Sequence, residues 1–435
     1  MNIHLKALGC RLNEAELAQW SHDFTKEGHH IVRDASEADV VVINTCAVTT
    51  EATKKSRKLM NRLYRENPQS KLVVSGCYAT LEEKEVAARL GVDLVVDNQN
   101  KEQLPRKVMD AFPVNTMPLN AQEPGESSLF LRGKHRAFIK IQDGCRYRCT
   151  YCIVTLARGE ERSRPTSDII DEVNILHQQG IEEVVLTGVH VGGYGSDIST
   201  SLLRLVKSLL SETSIPRIRF ASVEPWDLPE EFFTLFENNR LMPHMHLPLQ
   251  SGSDSVLRRM SRRCKTSDFA DLVNQARKAI PNFNVTTDII VGFPAETEAE
   301  WLDTIDIVSS IRFGHIHIFS YSAREGTKAA GLANPVPEQI KRNRSQELHS
   351  LADQLKKEFY QRQINNNVEV LWESRKTDKD GKAYYTGYTP NFCRVESNDK
   401  NEVILEGRIS NTMLSDYSLD RSVLKGVRVN ENPDK

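Results

Sequence analysis

The sequence lacks long apolar runs. No segment of its 435 residues approaches the roughly 18 or more consecutive apolar residues that indicate a membrane-spanning helix. Its opening stretch, Met1–Leu8, has the character of a β-strand and lacks the apolar core of a secretion signal. We therefore expect no membrane partner and a cytoplasmic location, where clustered thiols stay reduced.

A strong charge of one sign is absent as well. The formal net charge is −2, with 39% apolar and 27% charged residues, which is typical of a soluble globular protein. Because the chain has no overall positive charge, any nucleic-acid partner must be bound through local patches of basic residues. Internal repeats are also absent, which excludes a repeat architecture. The length alone predicts two or three domains.

Three cysteines lie within eight residues. Cys145, Cys149 and Cys152 have the spacing C-x3-C-x2-C and follow an apolar-alternating strand. Their thiolates could converge on one metal centre, and thiolates suit zinc or iron–sulfur clusters. A structural zinc site usually has four ligands, and no fourth Cys or suitably spaced His lies nearby. The spacing favours a [4Fe–4S] cluster with one open iron over a zinc knuckle or plain reduced thiols.

Three further cysteines each follow a predicted strand. Cys10, Cys46 and Cys77 are separated by 35 and 30 residues. The carboxyl ends of parallel strands meet at one edge of a sheet, where open α/β domains bind ligands. Any one of them alone would be an ordinary loop or buried cysteine. Their repeated position favours a second, auxiliary cluster with three thiolate ligands.

The chain divides into four predicted segments. Strand–helix alternation over residues 1–112 predicts a parallel, flavodoxin-like sheet. Residues 113–134 contain Pro, Gly and Ser without periodicity and are predicted to be a linker. Residues 135–360 contain six strand–helix units, fewer than a closed eight-fold barrel needs, and predict a partial (β/α)6 barrel. Residues 361–432 predict a small all-β barrel. The fold class is therefore α/β with a C-terminal β-barrel.

Small and polar residues follow the barrel strands. Gly188 lies in a glycine-rich loop that could equally be a plain connection, and Glu224 and Gln250 follow the next two strands. A basic run near the same rim includes Arg262 and Arg263, and it is either a solvated helix face or a phosphate contact. The pairs His244/His246 and His315/His317 are more typical of hydrogen-bonded barrel residues than of a zinc site.

Taken together, these motifs resemble the radical S-adenosylmethionine (radical SAM) methylthiotransferases over essentially the whole chain. The matching segments are Gly9–Asn13, Asn44–Thr49, Gly76–Ala79, Gly144–Cys152, Ala157–Gly159, Arg162–Pro165, Thr187–Gly195, Leu247–Gly252, Thr287–Pro294 and Phe319–Ser322. Thr155-Leu156 stands where the family commonly has Pro-Tyr, Cys264 where a Tyr is usual and Ala295 where a Gly is usual. No departure removes a cluster ligand.

The resemblance implies two [4Fe–4S] clusters and S-adenosylmethionine as cofactors. Cys145, Cys149 and Cys152 would hold the cluster that binds and cleaves S-adenosylmethionine, and Cys10, Cys46 and Cys77 would hold an auxiliary cluster that carries the sulfur to be transferred. The C-terminal barrel would be a TRAM domain, which is associated with RNA binding. The residues expected to contact S-adenosylmethionine are Tyr151, Gly188, Glu224, Gln250, Arg263 and Val291.

The motif Cys10–Asn13 and the short spacing to Cys46 most resemble the branch that methylthiolates N6-threonylcarbamoyladenosine beside the tRNA anticodon. The partners implied are a tRNA anticodon stem-loop, an electron donor such as flavodoxin or ferredoxin, and a sulfur source. Other branches act on isopentenyladenosine of tRNA or on an aspartate of a ribosomal protein. A non-catalytic iron–sulfur protein that binds RNA or senses redox state is the alternative of another class.

Overall fold

The N-terminal domain is built on one parallel sheet. The structure, a computed structural model, describes residues 1–112, 135–377, 381, 383–397 and 405–429, so the predicted linker over 113–134 lies outside the described residues. The five strands have the order β2-β1-β3-β4-β5. The elements of this domain are β1 (Asn2–Ala7), α1 (Arg11–Lys26), β2 (His30–Ile31), β3 (Val40–Thr45), α2 (Thr50–Glu66), β4 (Lys71–Gly76), α3 (Cys77–Leu81), α4 (Glu83–Ala87), β5 (Val92–Val96) and α5 (Leu104–Ala111).

The central strand of this sheet, β3, is buried between helices. Every residue of β3 is buried, since helices cover both faces of the sheet, as parallel sheets require. Helix α2 begins where the Thr49 side chain accepts a hydrogen bond from the Ala52 N–H at 3.1 Å, a typical N-cap. The two-residue strand β2 was not predicted, because two residues are too few to show a period.

The second domain is an open barrel of six parallel strands. Two three-stranded sheets, β10-β9-β6 and β11-β12-β13, are joined by isolated bridges such as Ser222 to His246. One large apolar core lies between these strands and the surrounding helices. The elements are β6 (Arg136–Lys140), β7 (Gln142–Asp143), α6 (Val154–Arg158), β8 (Arg162–Ser163), α7 (Thr166–Gln178), β9 (Glu183–Thr187), α8 (Leu202–Glu212), β10 (Arg217–Phe220), β11 (His244–His246), α9 (Asp254–Arg259), α10 (Thr266–Ala279), β12 (Asn284–Val291), α11 (Glu298–Ile311), β13 (His315–Ser320) and α12 (Glu338–Gln361).

The C-terminal strands form a closed barrel of order β14-β15-β16-β18-β17. The strands are β14 (Asn367–Thr377), β15 (Ala383–Tyr388), β16 (Arg394–Ser397), β17 (Ile409–Ser418) and β18 (Val423–Arg428). The predicted fold class, a flavodoxin-like sheet, a partial barrel and a small β-barrel, is confirmed. None of the described helices is both long and apolar enough to cross a membrane.

An aromatic ring joins the two barrels. Phe392 stacks between Tyr388 and His244, with ring centroids 4.7 and 4.8 Å away. The guanidinium groups of Arg219 and Arg136 lie 4.7 and 5.2 Å from the same ring. Arg136 and His244 begin their strands, so the β-barrel packs at the amino-terminal ends of the (β/α)6 strands. The opposite, carboxyl-terminal rim carries the cysteine triplet.

Buried carboxylate charge balances these arginines. Glu183 accepts from Arg219 Nε at 2.9 Å and lies 3.0 Å from Arg136 Nε. Burial alone would raise the pKa of the Glu183 carboxyl, yet Arg219 and Arg136 lower it to about 2. The carboxylate is therefore ionised throughout the neutral range and compensates the arginines under the barrel.

Candidate metal centres

The three cysteines predicted from topology meet at one edge of the N-terminal sheet. Cys10 is the N-cap of α1 after β1, Cys46 follows β3, and Cys77 begins α3 after β4. Because β1, β3 and β4 are adjacent and parallel, their carboxyl ends lie side by side. Burial raises the pKa of the Cys46 thiol to about 11, and the nearby thiols of Cys77 and Cys10 add to this rise.

Two glycines make this convergence possible. A Cβ at Gly9 would lie 2.6 Å from Cys46 Sγ, and one at Gly76 would lie 2.4 Å from the Thr45 carbonyl oxygen. Both residues have positive φ, 100° and 94°, which side-chain-bearing residues rarely adopt. Only glycine therefore lets these backbone segments approach the cysteines so closely.

The cysteine triplet lies on a loop that the rest of the barrel holds in place. The Cys145 N–H donates to the Gly159 carbonyl at 3.0 Å, and the Cys152 N–H donates to the Cys149 carbonyl at 3.0 Å. The Thr150 hydroxyl donates to the carbonyl of Arg259 at 2.8 Å. The loop is thus held from outside at Cys145 and at Thr150, and the Cys152 bond closes a turn within it.

A single side chain ties this loop to the next strand. Gln142 Nε2 donates to the Gly144 carbonyl at 2.7 Å, while its Oε1 accepts from the His190 N–H at 2.9 Å and the Val189 N–H at 3.1 Å. Gly188, the first residue after β9, lies against the same glutamine, since a Cβ there would be 3.0 Å from the Gln142 carbonyl oxygen. The predicted rim residue Gly188 therefore sits directly beside the loop.

The triplet thiols are close enough to influence one another. Burial raises the pKa of Cys145 to about 12 and that of Cys152 to about 11, and the neighbouring thiols add to both rises. All eight cysteines of the chain are free. Burial without a cation disfavours the thiolate forms of Cys145 and Cys152, so a metal centre fits this donor set, and its binding would release protons.

Two buried groups with unused hydrogen-bonding capacity lie beside the triplet. Glu224 Oε2 accepts no hydrogen bond from any described residue, and Arg262 Nε likewise donates none within the described chain. Burial raises the pKa of Glu224, and its carboxylate in turn raises that of Cys145. The Arg262 guanidinium interacts with Cys149 and Tyr151 and lies 4.3 Å from the Trp226 ring. A buried acceptor and a buried donor suit a ligand with both ammonium and carboxylate groups, such as S-adenosylmethionine.

The remaining predicted rim residues are placed differently. Gln250 follows β11 along the chain, and its N–H donates to the Asp288 carbonyl at 2.8 Å. Its φ of 76° is uncommon for a residue with a side chain. Val291 ends β12 and is buried. Arg263 is exposed, with its guanidinium 4.7 Å from the Tyr147 ring. Arg262, its neighbour in the basic run, is the arginine that faces the triplet.

Sequence reasoning missed a buried histidine network next to the loop. His190 Nε2 lies 2.6 Å from Asp227 Oδ2, and its Nδ1 contacts Glu161. The Tyr147 hydroxyl donates to Asp227 Oδ1 at 2.8 Å. Burial opposes a charged imidazole, yet Asp227, Glu224 and Glu161 raise the pKa of His190. Both ring nitrogens of His190 thus face carboxylates. The ligand atoms of His190, Glu224 and Asp227 lie within 4.8 Å of one another, and we interpret this group as an ion-pair network and not as a metal site.

Comparison with known proteins identifies the family. The model of the radical SAM superfamily matches residues 139–308, and the model of the uncharacterized protein family UPF0004 matches residues 2–97. The chain is 36% identical to the threonylcarbamoyladenosine tRNA methylthiotransferase MtaB of Bacillus subtilis over 90% of its length and 89% of that protein. The chain belongs to the radical SAM methylthiotransferase family. It is therefore a sulfur-transferring enzyme that uses S-adenosylmethionine and a [4Fe–4S] cluster.

Other relatives are named for a different modified adenosine of tRNA. The chain is 32% identical to the tRNA-2-methylthio-N(6)-dimethylallyladenosine synthase of Staphylococcus haemolyticus, over 96% of this chain and 84% of that protein. Among solved structures, the radical S-adenosylmethionine methyltransferase TsrM of Kitasatospora setae superimposes with a TM-score of 0.57 at 14% identity, covering 76% of this chain and 77% of that one. At that identity the likeness concerns the fold of the enzyme alone.

Proposed function

We propose that this enzyme converts N6-threonylcarbamoyladenosine next to the anticodon of tRNA into its 2-methylthio derivative. The observation that carries the proposal is the presence of two sets of three free cysteines in two domains that pack against each other. A single set accounts for radical generation, whereas the insertion of sulfur needs a second centre. The similarity to MtaB proteins over most of the chain favours this substrate.

Each cysteine set has a proposed role. Cys145, Cys149 and Cys152 would hold the cluster that binds S-adenosylmethionine, and the auxiliary set, Cys10, Cys46 and Cys77, would hold the cluster next to the sulfur. When bound, these groups supply a radical strong enough to activate an adenine C–H bond, together with the sulfur and methyl group that replace the hydrogen. The protein's own task is to position the cofactor and to exclude water.

The residues beside the triplet would orient S-adenosylmethionine. Glu224, with its unused oxygen, suits the ammonium group, and Arg262, with its unused N–H, suits the carboxylate. Tyr151 packs beside the triplet in a small apolar cluster that includes Met260 and Phe293. Gly188, Gln250, Arg263 and Val291 complete the proposed set of contacting residues.

The RNA would be bound as an unpaired loop. Single-stranded loops present bases that can be turned outward into a pocket, and the anticodon loop has this form. The C-terminal barrel, proposed here as a TRAM-like RNA-binding domain, packs at the end of the (β/α)6 barrel away from the triplet. It would therefore contact RNA away from the reacting nucleotide. An electron donor such as flavodoxin or ferredoxin and a sulfur source are further proposed partners, and the cytoplasm is the proposed location.

The second candidate substrate is isopentenyladenosine in tRNA. It is favoured by the similarity to relatives named for dimethylallyladenosine, which reaches 32% identity over 96% of the chain. The two substrates differ only in the N6 substituent, so the reaction and the cluster ligands would be the same.

The test is nucleoside analysis of tRNA. A strain without this gene should accumulate N6-threonylcarbamoyladenosine and lose 2-methylthio-N6-threonylcarbamoyladenosine, and a plasmid copy should restore it. Copies carrying C10A, C46A or C77A should fail to do so, whereas C264A, which alters a cysteine outside both sets, should succeed. Loss of the methylthio form of isopentenyladenosine instead would support the second candidate. If neither modification changes, the proposed function is wrong.

A further inference from the structure

We infer that Arg158, a residue of the radical SAM domain, is a positioning residue of the auxiliary centre in the N-terminal domain. Its buried guanidinium supplies the positive charge next to Cys10 and Cys77. The auxiliary centre is then complete only when the two domains are docked. The inference rests on the proposed function, since it assigns a cluster to Cys10, Cys46 and Cys77.

The position of Arg158 is fixed by contacts with both domains. Its side chain is 2% exposed. Nη1 donates to Glu16 Oε1 of helix α1 at 2.8 Å and to Asp143 Oδ1 of strand β7 at 3.0 Å. Nη2 donates to Asn13 Oδ1 at 2.8 Å. Because Glu16 and Asn13 belong to the N-terminal domain, this one guanidinium spans the domain interface.

Asn13 connects the guanidinium to the first auxiliary cysteine. Its Oδ1, which accepts from Arg158, also accepts from Cys10 Sγ at 3.6 Å. Burial opposes the charged form of Arg158, yet Glu16, Cys77, Asp143 and Cys10 together raise its pKa well above the ordinary value. The cation and two of the auxiliary thiols are therefore electrostatic neighbours.

A second contact across the interface reaches the same site. Asn98 of the N-terminal domain donates through Nδ2 to the Ala157 carbonyl at 2.7 Å, and the same nitrogen lies 3.8 Å from Cys77 Sγ. Ala157 precedes Arg158, so helix α6 approaches the auxiliary cysteines with both its last side chain and its backbone. The docked radical SAM domain thus forms one wall of the auxiliary site.

The charges around Arg158 are balanced before any cluster binds. Glu16 and Asp143 oppose Arg158 and Lys101, and all four side chains are only 1–2% exposed. Three thiolates would add negative charge to this buried region. Arg158 is the member of the quartet that contacts Asn13 beside Cys10, whereas Lys101 pairs with Glu16 and with Asp143 at 2.7 Å. Lys101 therefore offers a matched control: a cation in the same network without the contact to Asn13.

The experiment isolates the auxiliary cluster. In full-length protein carrying C145A, C149A and C152A, iron should remain only at the auxiliary site. The midpoint reduction potential of that cluster is then measured by redox titration followed by electron paramagnetic resonance. R158M should move the potential to a more negative value, because a nearby cation stabilises the reduced, more negatively charged form. R158K should stay near the parent value, and K101M should move it less than R158M.

The outcomes separate a role at the cluster from a role in docking alone. If R158M loses stability but leaves the potential unchanged, or shifts it no more than K101M does, the inference is overturned. R158M could also fail to hold iron. The inference is then supported if R158K restores the iron content and K101M retains all its iron. It is overturned if R158M and K101M lose iron equally. If the triple-alanine parent itself binds no iron, the auxiliary cluster is absent, and both the proposed function and this role of Arg158 fail.

Discussion

Gly144, directly before the first cysteine of the triplet, offers the sharpest test of the loop geometry. Its φ is 72°, and a Cβ added there would lie 1.9 Å from the Glu160 carbonyl oxygen and 2.5 Å from its carbon. Since non-bonded carbon atoms lie about 3.5–4 Å apart, the segment at Glu160 must retreat by roughly 1 Å. That movement breaks the hydrogen bond from the Cys145 N–H to the Gly159 carbonyl.

The cost of Gly144→Ala follows from these contacts. The left-handed conformation contributes about 1–2 kcal/mol, the overpacking about 1–3 kcal/mol and the lost hydrogen bond about 1 kcal/mol. Gly180 is a matched control, because its φ is 88° but a Cβ there meets nothing within 4 Å. Gly180→Ala should therefore cost only the conformational part, about 1–2 kcal/mol.

The assay combines thermal unfolding with iron analysis. Gly144→Ala should lower the Tm by more than Gly180→Ala and should lose the triplet's share of iron, since Cys145 is displaced from its partners. Gly180→Ala should retain all its iron. If Gly144→Ala keeps full iron and unfolds at the same temperature as Gly180→Ala, the close approach of the two backbone segments does not govern the site.

Three further predictions concern stability. The Glu183 carboxyl has a folded-state pKa of about 2 against an ordinary 4.5, so its ion pairs stabilise the fold above that ordinary value and are lost as pH falls toward 2. E183Q should lower the free energy of unfolding most above pH ~5, by on the order of 3 kcal/mol. E369Q, whose side chain is 64% exposed, should change the free energy of unfolding little at any pH. F392A should lower the free energy of unfolding by about 2–4 kcal/mol and speed amide hydrogen exchange at the contact between the two barrels. F392L should have an intermediate effect, and unchanged exchange in F392A would contradict the stacking role. Ala295 has a φ of 61°, a conformation that glycine adopts more readily than alanine, so A295G should raise the free energy of unfolding by about 0.5–1 kcal/mol. A299G in α11 should lower it by a similar amount, because glycine is a poorer helix former. If both variants are less stable, the backbone at Ala295 is not strained.

The fold was largely predictable because its signals are local. Strand–helix alternation predicted the six strand–helix units of the (β/α)6 barrel, and the structure has six parallel strands there. The short strand His30–Ile31 was not predicted, because two residues are too few to show a hydrophobic period. Gly-rich turns and N-caps need only a few neighbouring residues, so a sequence reveals them directly.

The candidate site was predictable only in part. The six cysteines could be proposed as two sets of ligands because their spacing and strand-end positions are visible in the sequence. The sequence analysis named Arg263 as the contacting arginine, whereas Arg262 is the arginine that faces the triplet. Adjacent residues in a basic run look alike in a sequence, and only the fold turns one toward the triplet and leaves the other exposed. His190 lay in a glycine-rich loop whose sequence is common, and its carboxylate partners lie 29 and 37 residues away.

The sequence by itself determined where two sets of three thiols lie along the chain, each placed by elements whose patterns are local. Only the tertiary structure decided how the two sets share one interior. Arg158 meets Glu16 and Asn13 across 142 and 145 residues of chain, and a buried cation that compensates charges so distant leaves no period, motif or spacing in the sequence. The electrostatic link between the domains is therefore a property of their docking, because only docking removes water and brings those charges within hydrogen-bonding distance.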